Sequence, residues 1–190
     1  MAIVWIIVVV LVLVLLWVVS AYNGLIALKN RVQEAWSDID VQLKRRHDLI
    51  PNLIETVKGY AKHEKAVFEK VTELRTAAMS ATSLKDKAET EGQLTDTLKS
   101  LFAVSENYPE LKANQNFLQL QGELTDTEDK ISAARRFYNG NVRDFNTKIQ
   151  VFPTNTFATQ LHFKAFDLFE ASNDEKQPVN VSFDDTQKGA

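Results

Sequence analysis

The sequence contains no cysteine, so disulfides, thiolate metal sites and thiol nucleophiles are all excluded. It holds only 6 glycines and 4 prolines in 190 residues. So few breakers permit long uninterrupted elements and favour helices. No glycine-rich phosphate loop and no nucleophile elbow is present. Basic excess is missing too: the formal net charge is −3, which argues against a nucleic-acid partner. Histidine is scarce, and its neighbours are wrong for metal chemistry. The residues three before His47, His63 and His162 are Lys44, Tyr60 and Thr159, so the Glu-x-x-His pairs of di-iron bundles are absent. His63-Glu64 has no second histidine one turn on, which removes the zinc-protease pattern. No cofactor and no metal is expected.

What is present begins with residues 1–28, where no side chain is charged, and residues 3–19 are unbroken apolar sequence. A helix needs roughly 20 such residues to cross about 30 Å of hydrocarbon. Trp5 stands near one end of the run, Trp17 and Tyr22 near the other, where amphipathic rings sit at headgroup level. A cleaved signal peptide is the rival reading, since Val19-Ser20-Ala21 resembles a cleavage site. The lack of Lys or Arg ahead of the run, and its length, favour a retained anchor over residues 1–24. Lys29 and Arg31, then Lys44, Arg45 and Arg46, follow the span, whereas no basic side chain precedes it. The positive-inside bias predicts a very short outside N-terminus and a cytoplasmic domain in a cell membrane crossed once.

Apolar residues then recur at steps of three and four. Leu28, Val32, Ala35, Ile39 and Leu43, with Trp36, form a first stripe that continues from the span. Pro51 predicts an end or kink across residues 47–50. Leu53, Val57, Tyr60, Val67, Val71, Leu74 and Ala78 predict a second helix, and residues 77–83 a connection. Leu94, Leu98, Leu101 and Phe102 mark a third. Asn107-Tyr108-Pro109 reads as the start of a fourth, whose stripe from Phe117 to Ile149 implies about forty residues and roughly 60 Å of helix, closed by Pro153. The expected fold is all-α: a single N-terminal transmembrane helix continuing into an up-and-down antiparallel four-helix bundle over residues 25–152. The fourth helix then returns residues 153–170 to the bilayer. There Phe157, Leu161, Phe163, Phe166 and Phe169 crowd together, readable as a cap on the bundle, a membrane contact or a subunit contact. Residues 171–190 are expected to be a polar flexible tail, with Val179, Val181 and Phe183 as one alternating piece.

The densest polar cluster surrounds Pro51: Lys44, Arg45, Arg46, His47, Asp48 and Asn52. In a structural reading Asp48 caps the second helix and the bases complement the dipole at the end of the first. In a functional reading the six form an anion- or partner-binding knuckle far from the membrane. Thr127 falls on the apolar face of the last helix and implies a polar contact inside the bundle. Glu128 and Arg135 are placed to pair with Asp38, Asp40 or Arg45, fixing register rather than catalysing.

The stretch YNGLIALKNRVQEAWSDIDVQLKRRHDLIPNLIETVKGYA over residues 22–61 resembles the LemA family closely. So does NYPELKANQNFLQLQGELTDTEDKISAARRFYNGNVRDFN over residues 107–146, with Phe152-Pro153 soon after. The resemblance implies a bacterial protein with one transmembrane helix and an up-and-down four-helix bundle, but no agreed biochemical activity. Family members are often encoded beside membrane proteases or other membrane proteins, which hints at membrane quality control or envelope maintenance. The leading expectation is a non-enzymatic scaffold that binds other membrane proteins or copies of itself. The alternatives are a membrane-surface or remodelling protein acting through the Phe-rich segment, and a metal- or anion-dependent enzyme built on the bundle core.

Overall fold

The computed structural model describes residues 1–170; the expected flexible tail and its Val179, Val181 and Phe183 lie outside the described residues. The fold is all-helical there. Helices α1 (Ala2–Lys58), α2 (Lys65–Ser80), α3 (Leu84–Ser105), α4 (Pro109–Lys112), α5 (Gln115–Gln150) and α6 (Thr154–Gln160) follow in order. An irregular strap over residues 163–170 closes the described chain.

Helix α1 is one rod of 57 residues, about 85 Å long. Its first part is apolar on every face and contacts almost no protein, the pattern of a helix whose solvent is hydrocarbon. It is the one described helix long and apolar enough to cross a membrane. From Leu25 onward burial becomes one-sided, through Val32, Ala35, Ile39, Leu43, Ile50, Leu53 and Val57. The same rod thus passes from all-round exposure to one-sided burial without a break.

Of the end or kink expected at Pro51, the structure excludes the end, because the helix runs on through it. A helical proline orphans the carbonyl four residues earlier, here that of His47. Arg75 of α2 supplies the missing donor, its Nε bonding the His47 oxygen at 2.8 Å. A residue 28 positions away therefore repairs the ladder. As a result Leu53 and Val57 belong to α1, and the second helix starts only at Lys65. Asp48 lies mid-helix and caps nothing.

The last long helix also starts later than expected. Pro109 opens only the four-residue α4, and α5 begins at Gln115 and runs 36 residues. Asn114 sets that start: its Oδ1 accepts from the Phe117 amide at 3.0 Å while its Nδ2 donates to the Tyr60 hydroxyl at 2.9 Å. Ser83 caps α3 in the same way, accepting from Asp86 N at 3.0 Å.

Two apolar clusters form the core. One joins the end of α1 to α2, α3, α4 and the start of α5, around Ile50, Leu53, Val71, Leu101 and Phe117. The other joins the middle of α1 to the second half of α5 and the strap, around Ala35, Ile39, Val142, Phe145 and Phe169. Along α1 and α5 the partners run in opposite senses: Trp36 meets Tyr138, Arg46 meets Glu128, and Tyr60 meets Asn114. The end of α5 is thereby carried back toward the apolar part of α1.

Replacing Arg75 by Met should cost about 1–3 kcal/mol, the penalty of leaving a half-buried carbonyl unpaired. In a Pro51→Ala background, where residue 51 donates its own amide, that cost should shrink. Thermal unfolding of the four detergent-extracted variants, followed by circular dichroism, measures the coupling. Equal costs in both backgrounds would show that Arg75 does not serve the proline.

Candidate functional site

The polar cluster foreseen around Pro51 is divided between two faces of α1. Lys44, Arg45, Asp48 and Asn52 are exposed and line a shallow depression with Val41 and Leu49. Arg46 and His47 point the other way and are buried, Arg46 to 1% exposure. The Arg46 guanidinium bonds the carboxylates of Glu91 on α3 and Glu128 on α5, and its Nη1 donates to Thr95 Oγ1 at 2.7 Å. His47 Nε2 lies 3.0 Å from Glu91 Oε1. Three side chains from two other helices, Glu91 and Thr95 of α3 and Glu128 of α5, thus meet on the one cation. Burial pushes the Glu91 carboxyl up, but the His47 contact and the Arg46 and His47 charges outweigh it and hold the pKa below the ordinary 4.5.

Glu128 pairs with Arg46 rather than with the expected Asp38, Asp40 or Arg45. Arg45 instead lies 4.0 Å from Glu123, and Arg135 stacks over the Phe169 ring at 5.0 Å. Thr127 is buried, and its hydroxyl bonds the Glu123 carbonyl of its own helix at 2.7 Å. Glu91 and Thr95 were not singled out from the sequence, since they lie in its least patterned stretch. A carboxylate on the buried side of α3 was the available signal.

The Phe-rich segment is held by two asparagines. Asn146 Nδ2 donates to the Phe166 carbonyl at 2.9 Å, and its Oδ1 accepts from the Phe166 amide at 3.0 Å. Asn139 does the same for Phe169, at 3.0 and 2.9 Å. The register is geometric: seven helical residues rise about 10.5 Å, and three residues of extended chain cover about 10 Å. Each asparagine therefore meets every third strap residue, and Phe163, Phe166 and Phe169 all turn onto the second cluster. Phe145 packs edge-on against both Phe163 and Phe166, and Trp36 meets Phe169 in a tilted pair. Tyr138 adds a bond from its hydroxyl to the Asp167 carbonyl at 3.0 Å.

Phe157 and Leu161 take a different place. Phe157 of α6 packs on Trp17 at 5.4 Å, and Phe163 on Tyr22 at 6.4 Å. Trp5 lies on the free apolar part of α1, fully away from the rest of the protein. Leu161, Val151 and Phe152 remain exposed, Phe152 to 83%. These side chains form an apolar rim beside the end of the stretch that is long and apolar enough to cross a membrane.

The profile of the LemA family matches residues 35–183. The chain belongs to the LemA family. A relative named Protein LemA, from Metamycoplasma hominis, is 32% identical over 165 residues, covering 86% of this chain and 75% of that protein. The magnetosome protein MamQ 2 of Paramagnetospirillum magneticum is 22% identical over 184 residues, covering 83% of this chain and 68% of its own. MamQ of Magnetospirillum gryphiswaldense is 21% identical over the same shares. The LemA match takes in the Arg46 cluster, both asparagines and the strap, and begins after the apolar stretch.

Three outcomes test these contacts. Glu91→Leu should cost about 3–5 kcal/mol by leaving Arg46 underpaired, whereas a joint Arg46→Met and Glu91→Leu replacement should recover most of it. Acid should act through the same carboxylate. Because its folded pKa is depressed, its contribution is present at neutral pH and is lost as pH falls through the folded value. The gap in melting temperature between the native chain and Glu91→Gln should therefore narrow as the pH falls through that depressed value. For the strap, Asn139→Ala should speed amide hydrogen exchange at Phe169, and Asn146→Ala at Phe166, each by about tenfold, equivalent to one lost hydrogen bond.

Proposed function

We propose that this LemA-family chain is a non-enzymatic, membrane-anchored scaffold. Its helices form an up-and-down antiparallel four-helix bundle held on the cytoplasmic side, with the N-terminus outside. The carrying observation is the continuity of α1, which runs from the apolar stretch to Lys58 as one helix. A domain joined this way keeps a fixed direction relative to the bilayer, as a presenting surface requires. None of the relatives described carries the name of an enzyme. Its partners are other membrane proteins or further copies of the chain, in membrane quality control or envelope maintenance. Lys44, Arg45, Asp48 and Asn52, exposed on one side of the rod, are the candidate contact surface.

A second reading, contact with the membrane surface through the Phe-rich segment, is favoured by the Trp17–Phe157 packing and the exposed Phe152. It coexists with scaffolding. The third, a metal- or anion-dependent enzyme, would displace both if the purified chain carried stoichiometric metal.

The Cys-free sequence makes orientation directly measurable. A cysteine introduced at Lys62 or Lys85 should react with a membrane-impermeant maleimide only after cells are opened. Labelling in intact cells would reverse the orientation. A photo-crosslinker at Arg45 should capture a discrete membrane protein or a dimer of this chain, and one at Glu69 should not. Equal, diffuse capture from both sites would count against a specific surface.

A further inference from the structure

At the end of the rod nearest the apolar stretch lies a cavity of about 480 Å³ between α1 and the strap. Its walls divide by chemistry. Ile26, Leu161, Phe145 and Phe163 supply an apolar side, while Lys29, His162 and Lys164 supply three basic side chains. No acidic residue lines it. Neither lysine forms a salt bridge among the described residues, although most exposed lysines further along the bundle do. A pocket with unpaired bases and apolar walls is suited to an amphiphilic anion.

Its height along the rod identifies which anion. Lys29 is seven residues beyond Tyr22, so its Cα lies about 10 Å further from the hydrocarbon. Helical side chains lean toward the N-terminus, which directs the long Lys29 stem back toward the bilayer. The rings of Trp17, Phe157, Tyr22 and Phe163 pack in two pairs just below, fixing α6 and the strap against α1 at this level.

His162 supplies an independent sign that the site is built. It is the single non-glycine residue with positive φ among those described, at 57°. It ends α6 in a Schellman arrangement, with the Phe163 amide bonding the Ala158 carbonyl at 3.0 Å and the His162 amide bonding Thr159 at 3.2 Å. Glycine is the favoured residue there, and a side chain costs about 1–2 kcal/mol. The chain accepts that strain at a position whose side chain lines the basic pocket.

We propose that this cavity binds the phosphate headgroup of an anionic phospholipid, with Lys29, His162 and Lys164 on the phosphate and the apolar wall along the start of an acyl chain. The inference rests on the reading that the apolar stretch crosses the bilayer, and it extends the membrane-surface reading of the Phe-rich segment from general contact to a defined site. Lipid bound there would join α1 to the strap and make docking of the strap depend on the membrane's anionic content.

The test uses the full chain in detergent micelles, with bound lipid counted by native mass spectrometry. Phosphatidylglycerol should be retained at one per chain and about tenfold more tightly than phosphatidylcholine, the preference expected when two lysines meet one extra negative charge. Lys29→Gln with Lys164→Gln should abolish the preference, while Arg31→Gln, a nearby exposed base outside the cavity, should leave it intact. His162→Gly should raise the melting temperature yet weaken retention, an outcome a purely structural histidine would not give. Equal loss in the Arg31 variant would overturn the site in favour of diffuse charge. Inorganic phosphate competing as well as the lipid would overturn the lipid as ligand. Extraction of the native chain from membranes by alkaline carbonate would refute the spanning reading itself. Retention in the membrane without lipid preference would refute only the site.

Discussion

The structure depends on α1 remaining one helix across Pro51. A proline deep in a helix leaves one carbonyl without a donor, and here that carbonyl is half-buried. The Arg75 side chain meets the His47 oxygen, so the local defect becomes a contact between α1 and α2. Two turns beyond the proline, Val57 and then Tyr60 reach the far cluster and the Asn114 cap. Had the rod stopped near His47, neither the start of α5 nor its alignment along α1 would be set in this way.

Alignment of α5 on α1 has consequences at both ends. Midway, it brings Glu128 to Arg46, which Glu91 and Thr95 meet from α3. A buried cation paired from two other helices is weak evidence for stability, because desolvation offsets much of the attraction. It does discriminate between registers, since a slip of one turn on any helix would strand a buried charge. Toward the apolar part of α1, the same alignment places Asn139 and Asn146 beneath the strap and Phe157 against Trp17. The strap is therefore specified by side-chain amides that mimic a neighbouring strand's backbone, in a fold without any strand among its described residues.

These features separate the two jobs the rod performs. Its free apolar part meets what a bilayer demands, a backbone satisfied within the helix and apolar side chains on every face. Its one-sided part obeys the protein core, which demands a stripe and particular partners. The change occurs between Trp17 and Leu25, where α6 and the strap lean on the helix. That junction carries the aromatic rim, the basic cavity and the strained His162 together.

Sequence alone determined the helical class, the apolar span with its aromatic ends, the stripe of α1 from Val32 to Leu43, and the LemA kinship. These rest on periodicity, composition and matched strings, which are local properties of the chain. The helix boundaries at Pro51 and Pro109 were misread because each is decided elsewhere: the first by Arg75 and the second by the pairing of Asn114 with Tyr60. The six-residue polar cluster likewise looked like one site until the helix turned Arg46 and His47 inward and left Lys44, Arg45, Asp48 and Asn52 outside. Glu91, Asn139 and Asn146 carry no local mark of their roles. A buried ion needs its counter-ions from two other helices, and an amide grips a strap only after both have docked. Propensity is read along the chain, but satisfaction of buried polar groups is settled across it.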